Sequence, residues 1–398
     1  MTALACILVA MGVAMLVATP GAWAAPPPAS GPALVKQIAR STDVKQVRAV
    51  ALSHDAQYLA SIVVRDGKPE LTLAGWSGSH RLPVAIPGPC PVAEIRWAPR
   101  GQWHELAVLT RCHGDPADGE PIHGALWVLN LSAHNTAPRK IADIDGFASG
   151  LEWSVDLKHI AFLFVPGATH VLETTTAGKV GYGAFGDNGV RFGADHQYVG
   201  MVALAGGSPR ILTPGNLYVY AFRLAPIGHD IAYTAATIPV DGGQENAKLY
   251  VQDTRRGAAP RMIVDPATVG GPLHGLRIGL LRWWPPATQI FFIGGNMTNL
   301  GAIAGDIYAV PISGGRPVDL ISGGKAASVW FRFLAPNSLF VTQIVDGRVH
   351  AVEYTYFATY MRQTYGWFSV PYLISDGRDP LAVSIGGPHM AFISGPVD

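Results

Sequence analysis

The sequence predicts an all-β fold, a β-propeller of about six to seven four-stranded blades. Three observations carry this. Seven related segments recur along the chain, each a cluster of turn residues followed by a short apolar run. The 398 residues include 46 Gly and 31 Pro, a density of punctuation that suits many short strands joined by turns better than long helices. Charged residues make up 14% and hydrophobic ones 49%, which excludes extensive disorder and fits strands covered on both faces.

The elements follow in chain order. Residues 1–24 are uncharged and apolar up to Ala22-Trp23-Ala24, a small-x-small cleavage pattern. They are expected to be a signal peptide, removed on export to a periplasmic or secreted location, leaving no membrane insertion. No Lys or Arg precedes the apolar run, and a retained anchor of minimum spanning length is the alternative. Residues 25–46 read as a Pro-rich linker and first strand, and residues 47–398 as the propeller, its last blade open to truncation.

The repeat copies start at Leu52, Trp97, Trp153, Leu224, Trp284, Leu334 and Val383. Successive starts lie 45, 56, 71, 60, 50 and 49 residues apart. The third copy, LEWSVDLKHIAFLFV, shows the pattern best: an anchor residue, a Ser-x-Asp turn, then an apolar run. Ser or Pro with Asp, Asn or Gly supplies the backbone angles of a tight turn. The run that follows is short and rich in β-branched or aromatic residues, as a strand buried on both faces would be. Second hairpins follow most copies, as in ALWVLNLSAHNTAPRKIA (125–142), KLYVQDTRRGAAPRMIV (248–264) and DIYAVPISGGRPVDLI (306–321). About four strands every 40 to 50 residues is the signature of a propeller, whose blades bury their faces only by packing in a ring. The last copy has no companion hairpin, and the segment 33–50 is a candidate strand to close the ring. The aromatic-rich segment 354–368 reads as hairpin and core. The long interval after Trp153 holds a polar, Gly-rich insertion at 167–197, poor in strand pattern; insertions of this length in compact domains are functional or disordered.

Chemistry is harder to find. With 29 basic and 28 acidic residues and a net charge of +1, the chain lacks the basic stripe of a nucleic-acid binder. No Gly-x-Ser-x-Gly elbow occurs, so a serine nucleophile is not expected. His-Glu-x-x-His and Cys-x-x-C are absent too, and no metal or cofactor is expected. Cys90 and Cys112 bracket a strand-turn-strand segment; export would permit a disulfide between them, and two buried thiols is the alternative.

The copies resemble the Trp-Ser-Pro-Asp-Gly-x-x-Ile-Ala-Phe repeats of TolB-like propellers and of the N-terminal propeller of the prolyl oligopeptidase family, with its dipeptidyl-peptidase-like and acylaminoacyl-peptidase-like enzymes. GDIYAVPISGGRPVDLIS is similar to that family's hairpins, and the resemblance runs from Val47 onward. Several turns depart from it by losing Asp-Gly, as in SVDLK, APIGH, PPATQ and APNSL. In that family an α/β-hydrolase domain carrying a Ser-Asp-His triad follows the propeller. The resemblance therefore implies an exported, non-catalytic domain that binds or gates peptide, as a truncated or split member. It leaves open a TolB-like envelope scaffold for other proteins, and a peptidase subunit completed by a separately encoded hydrolase domain. In dipeptidyl-peptidase-like relatives, propeller acids hold the substrate amino group. The insertion's acids, Glu173 and Asp187, are the matching candidates here, though neither sits in a Glu-Glu motif.

Overall fold

The computed structural model describes residues 46–392, apart from 76–81, 100–103, 114–119, 132–136, 174–175, 183–189, 195, 238–244, 256, 299–302, 322–325, 347, 368–382 and 387–388. For residues 46, 82, 170–195, 348–349, 365–367 and 383–392 only the backbone is described. Every extended element is a β-strand in an antiparallel sheet. Among the described residues no helix is long and apolar enough to cross a membrane.

The strands group into consecutive up-and-down units. The first comprises β1 (Gln46–Leu52), β2 (Tyr58–Arg65), β3 (Lys68–Gly75) and β4 (Leu82–Val84), paired in that order. The second holds β5 (Val92–Trp97), β6 (Glu105–Cys112), β7 (His123–Asn130) and the first half of β8 (Arg139–Trp153). The second half of β8 opens the third unit, with β9 (His159–Pro166), β13 (Tyr198–Ala203) and β14 (Arg210–Ile211). Between β9 and β13 lies a separate sheet of β10 (His170–Glu173), β11 (Thr176–Tyr182) and β12 (Val190–Ala194). The fourth unit is β15 (Tyr218–Leu224), β16 (Asp230–Ala236), β17 (Lys248–Asp253) and β18 (Arg261–Val264). The fifth is β19 (Arg277–Trp283), β20 (Gln289–Met297), β21 (Ile303–Pro311) and β22 (Val318–Asp319). The sixth is β23 (Ala327–Ala335), β24 (Ser338–Val345), β25 (Arg348–Tyr356) and β26 (Met361–Trp367). A hairpin of β27 (Val383–Gly386) and β28 (His389–Phe392) follows.

Neighbouring units pack through their first strands. β1 contacts β5, β5 contacts β8, β8 contacts β15, β15 contacts β19 and β19 contacts β23, while β27 and β28 contact β1. The core lies between the units rather than within one. On β9, Ile160, Phe162 and Phe164 join Leu109, Leu126 and Ile141 of the second unit. The alternate residues Ala161 and Leu163 join Val219, Phe222 and Tyr233 of the fourth. Strand parity of two thus sends one continuous apolar run into two cores. Each fully buried Phe or Ile in such a strand contributes about 1.5–3 kcal/mol.

The turns explain both the repeat and its erosion. Ser154 Oγ donates to Asp156 Oδ1 (2.5 Å), the Lys158 N–H donates to the same oxygen (3.0 Å) and the His159 N–H to Ser154 Oγ (2.9 Å). Ser53 and Asp55 build the same turn in the first unit. The next position holds Ala56, Leu157 and Ala287 at φ of 60°, 57° and 59°, a left-handed conformation that favours glycine. These side chains stand where the repeat pattern has Gly.

Two sequence expectations are refined. Trp283 pairs with Ile290 and Phe333 with Leu339, as Trp153 pairs with Ile160, so the fifth and sixth copies begin one residue earlier than the Trp284 and Leu334 anchors. The insertion, expected to be poor in strands, contains the three-stranded sheet, in which β11 and β12 pair over Gly178↔Ala194 to Tyr182↔Val190. Gly-rich strands hide from a pattern search because pairing, not side-chain alternation, defines them. The aromatic segment forms the β25–β26 hairpin, and Tyr354, Tyr356 and Met361 enter the core as expected.

Candidate functional site

The first strands share one register. Ala51 lies opposite Ala60, Arg96 opposite Ala107, Glu152 opposite Ala161, Arg223 opposite Ala232, Arg282 opposite Phe291 and Arg332 opposite Phe340. Each is the residue before the repeat's anchor. Four of these six equivalent positions are arginine and one is glutamate. That is a concentration of charge in a chain with only 14% charged residues.

The same level is where successive units are tied together. Trp97 Nε1 donates to Ala51 O (2.9 Å), Trp153 Nε1 to Arg96 O (3.0 Å) and Trp283 Nε1 to Arg223 O (2.9 Å). The anchor tryptophan of one unit thus holds the backbone of the previous unit's first strand. Between the third and fourth units, where the anchor is Leu224, a carboxylate substitutes: Glu152 Oε1 accepts from the Leu224 N–H at 3.1 Å. Glu94, two residues before Arg96, accepts from the Gly150 and Leu151 N–H groups at 2.8 and 2.7 Å.

Among the described residues, a partly sheltered carboxylate, Glu152, faces several of these guanidiniums. Arg223 Nη1 stands 3.8 Å from Glu152 Oε2, with side chains 18% and 17% exposed. Burial raises the Glu152 pKa above its ordinary value, against the opposing positive charges of Arg223, Arg96 and Arg282 and the Leu224 N–H. Arg96 and Arg332 are exposed, and Arg282 is half-buried. Arg111 of β6 lies behind Glu94; its guanidinium donates to Ala148 O at 3.0 Å and sits 4.4 Å from the Phe147 ring centre. Burial lowers the Arg111 pKa, and the Glu94 charge opposes that shift.

A second, open cleft of about 330 Å³ lies between Leu273, Tyr308, Arg316 and Asp319. Burial, with the charge of Asp319, raises the nearby Asp306 to a pKa of about 6. Burial likewise raises Asp319, against hydrogen bonds from the Ile321 N–H and the Tyr308 hydroxyl.

The residues expected from sequence fall elsewhere. Glu173 ends β10, its backbone opposite Thr176 in the inserted sheet, and Asp187 lies outside the described residues. Cys90 and Cys112 stand in disulfide geometry, with sulfurs 2.16 Å and Cα atoms 4.7 Å apart. His123 lies close to both sulfurs, but a disulfide leaves no thiolate to serve as a metal ligand. The arginine level lies outside the turn and apolar run that define the repeat. Its signal is one residue upstream: Arg96-Trp97, Arg223-Leu224, Arg282-Trp283 and Arg332-Phe333.

No family model matches the chain, and no curated protein does. Solved structures do. A puromycin-hydrolyzing peptidase of Mycobacterium tuberculosis superposes with a TM-score of 0.56 at 14% identity, covering 87% of this chain and 48% of that one. A prolyl endopeptidase superposes with a TM-score of 0.51 at 10% identity, covering 82% of this chain and 44% of that one. At such identities the likeness is one of fold. The chain spans about half the length of these prolyl-oligopeptidase-family peptidases.

Proposed function

We propose that the six units and the β27–β28 hairpin are blades of a propeller, and that this propeller is an exported, non-catalytic peptide-binding domain like the propeller half of prolyl-oligopeptidase-family peptidases. The observation that carries the reading is the fold likeness to about half of each of two peptidases. The order of contacts among first strands, with β27 and β28 returning to β1, supports a ring. The indole ties at one register support it further, since they repeat the same relation from unit to unit. First strands converge on the axis of such a ring, so the Arg96–Arg332 level would line its channel and meet a threaded peptide. The apolar 1–24 segment and the Cys90–Cys112 geometry support export to an oxidising compartment.

The test is a pair of measurements on the purified chain. Fluorescence anisotropy with labelled octapeptide pools should show saturable binding. Incubation with peptidyl chromogenic substrates should release no product. Absence of binding would sink the peptide reading and favour a TolB-like scaffold. Turnover blocked by a serine-reactive phosphonate would overturn the non-catalytic reading.

A further inference from the structure

We propose that Cys90, Cys112 and His123, once the disulfide is reduced, bind a borderline-soft divalent cation of the zinc type. The disulfide is then one of two states of the same corner. The inference stands independently of the peptide-binding reading.

The placement comes from strand pairing. Cys112 ends β6 directly opposite His123, the first residue of β7. Partners across a strand pair carry their side chains on one face, with Cβ atoms about 4.5–5.5 Å apart. On the other side of β6, β5 begins with Val92 opposite Thr110, and the Arg111 N–H donates to Pro91 O at 2.9 Å. The pairing thus runs on past the strand and brings Cys90 beside Cys112, with Cα atoms 4.7 Å apart. One ligand atom from each residue, two sulfurs and a ring nitrogen, lie within 4.8 Å of one another. The cysteines are half-buried and His123 is exposed, so the corner is open to an ion from solution.

The chemistry fits the donor set. Two thiolates and an imidazole are the ligands that zinc takes, and three protein ligands leave its fourth tetrahedral position to water. The histidine's other contact points the same way. Its Nδ1 stands 3.3 Å from Pro121 O. An N–H donated there leaves Nε2 with the lone pair, and metal-bound histidines make this kind of outer bond to a backbone carbonyl. In the bonded state neither sulfur carries the charge that a metal needs. A dithiol reductant supplies two electrons and two protons: the S–S bond breaks, the reductant closes to its own disulfide, and two thiols remain. Binding one Zn²⁺ then forms two Zn–S bonds and one Zn–N bond and releases the two thiol protons. Either link, covalent or metal, ties the approach to β5 to the end of β6, 22 residues apart. The metal adds β7 to the tie.

The experiment uses the full chain with Cys6→Ser, so that only Cys90 and Cys112 report. One sample keeps its disulfide and the other is reduced with an immobilised dithiol. Both are titrated with Co²⁺ and then with Zn²⁺. The reduced chain should take up about one Co²⁺, with the thiolate-to-cobalt charge transfer and strong visible bands of a tetrahedral site, and Zn²⁺ should displace it. The oxidised chain should show neither band. Zn²⁺ should also raise the thermal midpoint of the reduced chain alone, which separates binding at a folded corner from capture by unfolded cysteines. A reduced chain that regains its unfolding transition only when Zn²⁺ is added would support the site equally. His123→Ala, at an exposed position, should weaken binding by at least about tenfold, while its oxidised form unfolds at the parent midpoint. Equal metal affinity of the reduced and oxidised chains, or no effect of Zn²⁺ on the transition, would overturn the inference. Binding that His123→Ala leaves unchanged would overturn it too, because two thiols alone would then hold the ion.

Discussion

Replacing Trp153 by Phe tests whether the indole ties hold the units together. Trp153 is 4% exposed and its Nε1 donates to Arg96 O across the boundary between the second and third units. Phenylalanine keeps a six-membered ring but removes the donor and two ring carbons. The lost hydrogen bond is worth about 1 kcal/mol. The two buried carbons add about 1.6 kcal/mol at ~0.8 each, for a total near 2.5 kcal/mol. Trp127 on β7 is the control. Its Nε1 is buried with no hydrogen-bond partner among the described residues, so Trp127→Phe removes similar carbon and also deletes an unsatisfied donor, which offsets about 1–3 kcal/mol. Urea unfolding followed by far-UV circular dichroism should show a large fall in midpoint for Trp153→Phe and a small one for Trp127→Phe, with unchanged slopes. Equal losses would refute the argument, because the tie would then contribute nothing beyond bulk.

Two further outcomes follow from the turns. Ala287→Gly should stabilise the chain by about 0.5–1 kcal/mol, since it relieves a left-handed φ of 59° at a half-buried position; a loss of stability in the same urea assay would show that the alanine methyl matters more than the strain. Asp55 accepts from Ser53, from the Gln57 N–H and, at 2.8 Å, from His104 of the neighbouring unit. Burial opposes ionisation of Asp55, but these hydrogen bonds prevail and hold its pKa well below the ordinary value. A depressed carboxylate contributes stability that is complete above the unfolded pKa near 4 and is lost as pH falls from there. Asp55→Asn should therefore cost about 1–2 kcal/mol at pH 6–7, and the gap to wild type should close on acidification; a gap independent of pH would contradict the pairing.

The architecture was legible because each copy states its own local physics. The Ser-x-Asp turn and the apolar run encode a hairpin with two buried faces, and those faces are covered by the neighbouring units. Register was less legible. Trp283 and Trp284 are adjacent, and only strand pairing shows that Trp283 matches Trp153 while Trp284 occupies the Ser154 position, its N–H bonded to Gln289 O as the Ser154 N–H is to His159 O. The shared arginine level was hidden by the same problem. Successive members of the set Arg96, Arg223, Arg282 and Arg332 lie 50 to 127 residues apart, and nothing in the local sequence of any one marks it. Their coincidence emerges only when the copies are aligned by pairing. Glu173 and Asp187 came from a different signal, the resemblance of the chain to propellers whose acids hold a substrate amino group.

The long strand β8 has a consequence for what this chain tolerates. Its residues 139–145 pair with β7 and its residues 146–153 pair with β9. At the changeover Gly146 has a φ of 124° and no room for a Cβ, which would meet Val165 O at 2.2 Å. Other neighbouring units are joined by residues outside the strands, which absorb insertions and deletions as loops do. Here there is no such slack. One residue added or removed inside β8 inverts side-chain parity on one side of the changeover, turning Ile141 and Ile144 or Leu151 and Trp153 out of the core they share. The second and third units are therefore locked into a common reading frame of structure. Length variation that elsewhere would change only a loop would, at this seam, turn one unit's core residues out of the sheet it shares with its neighbour.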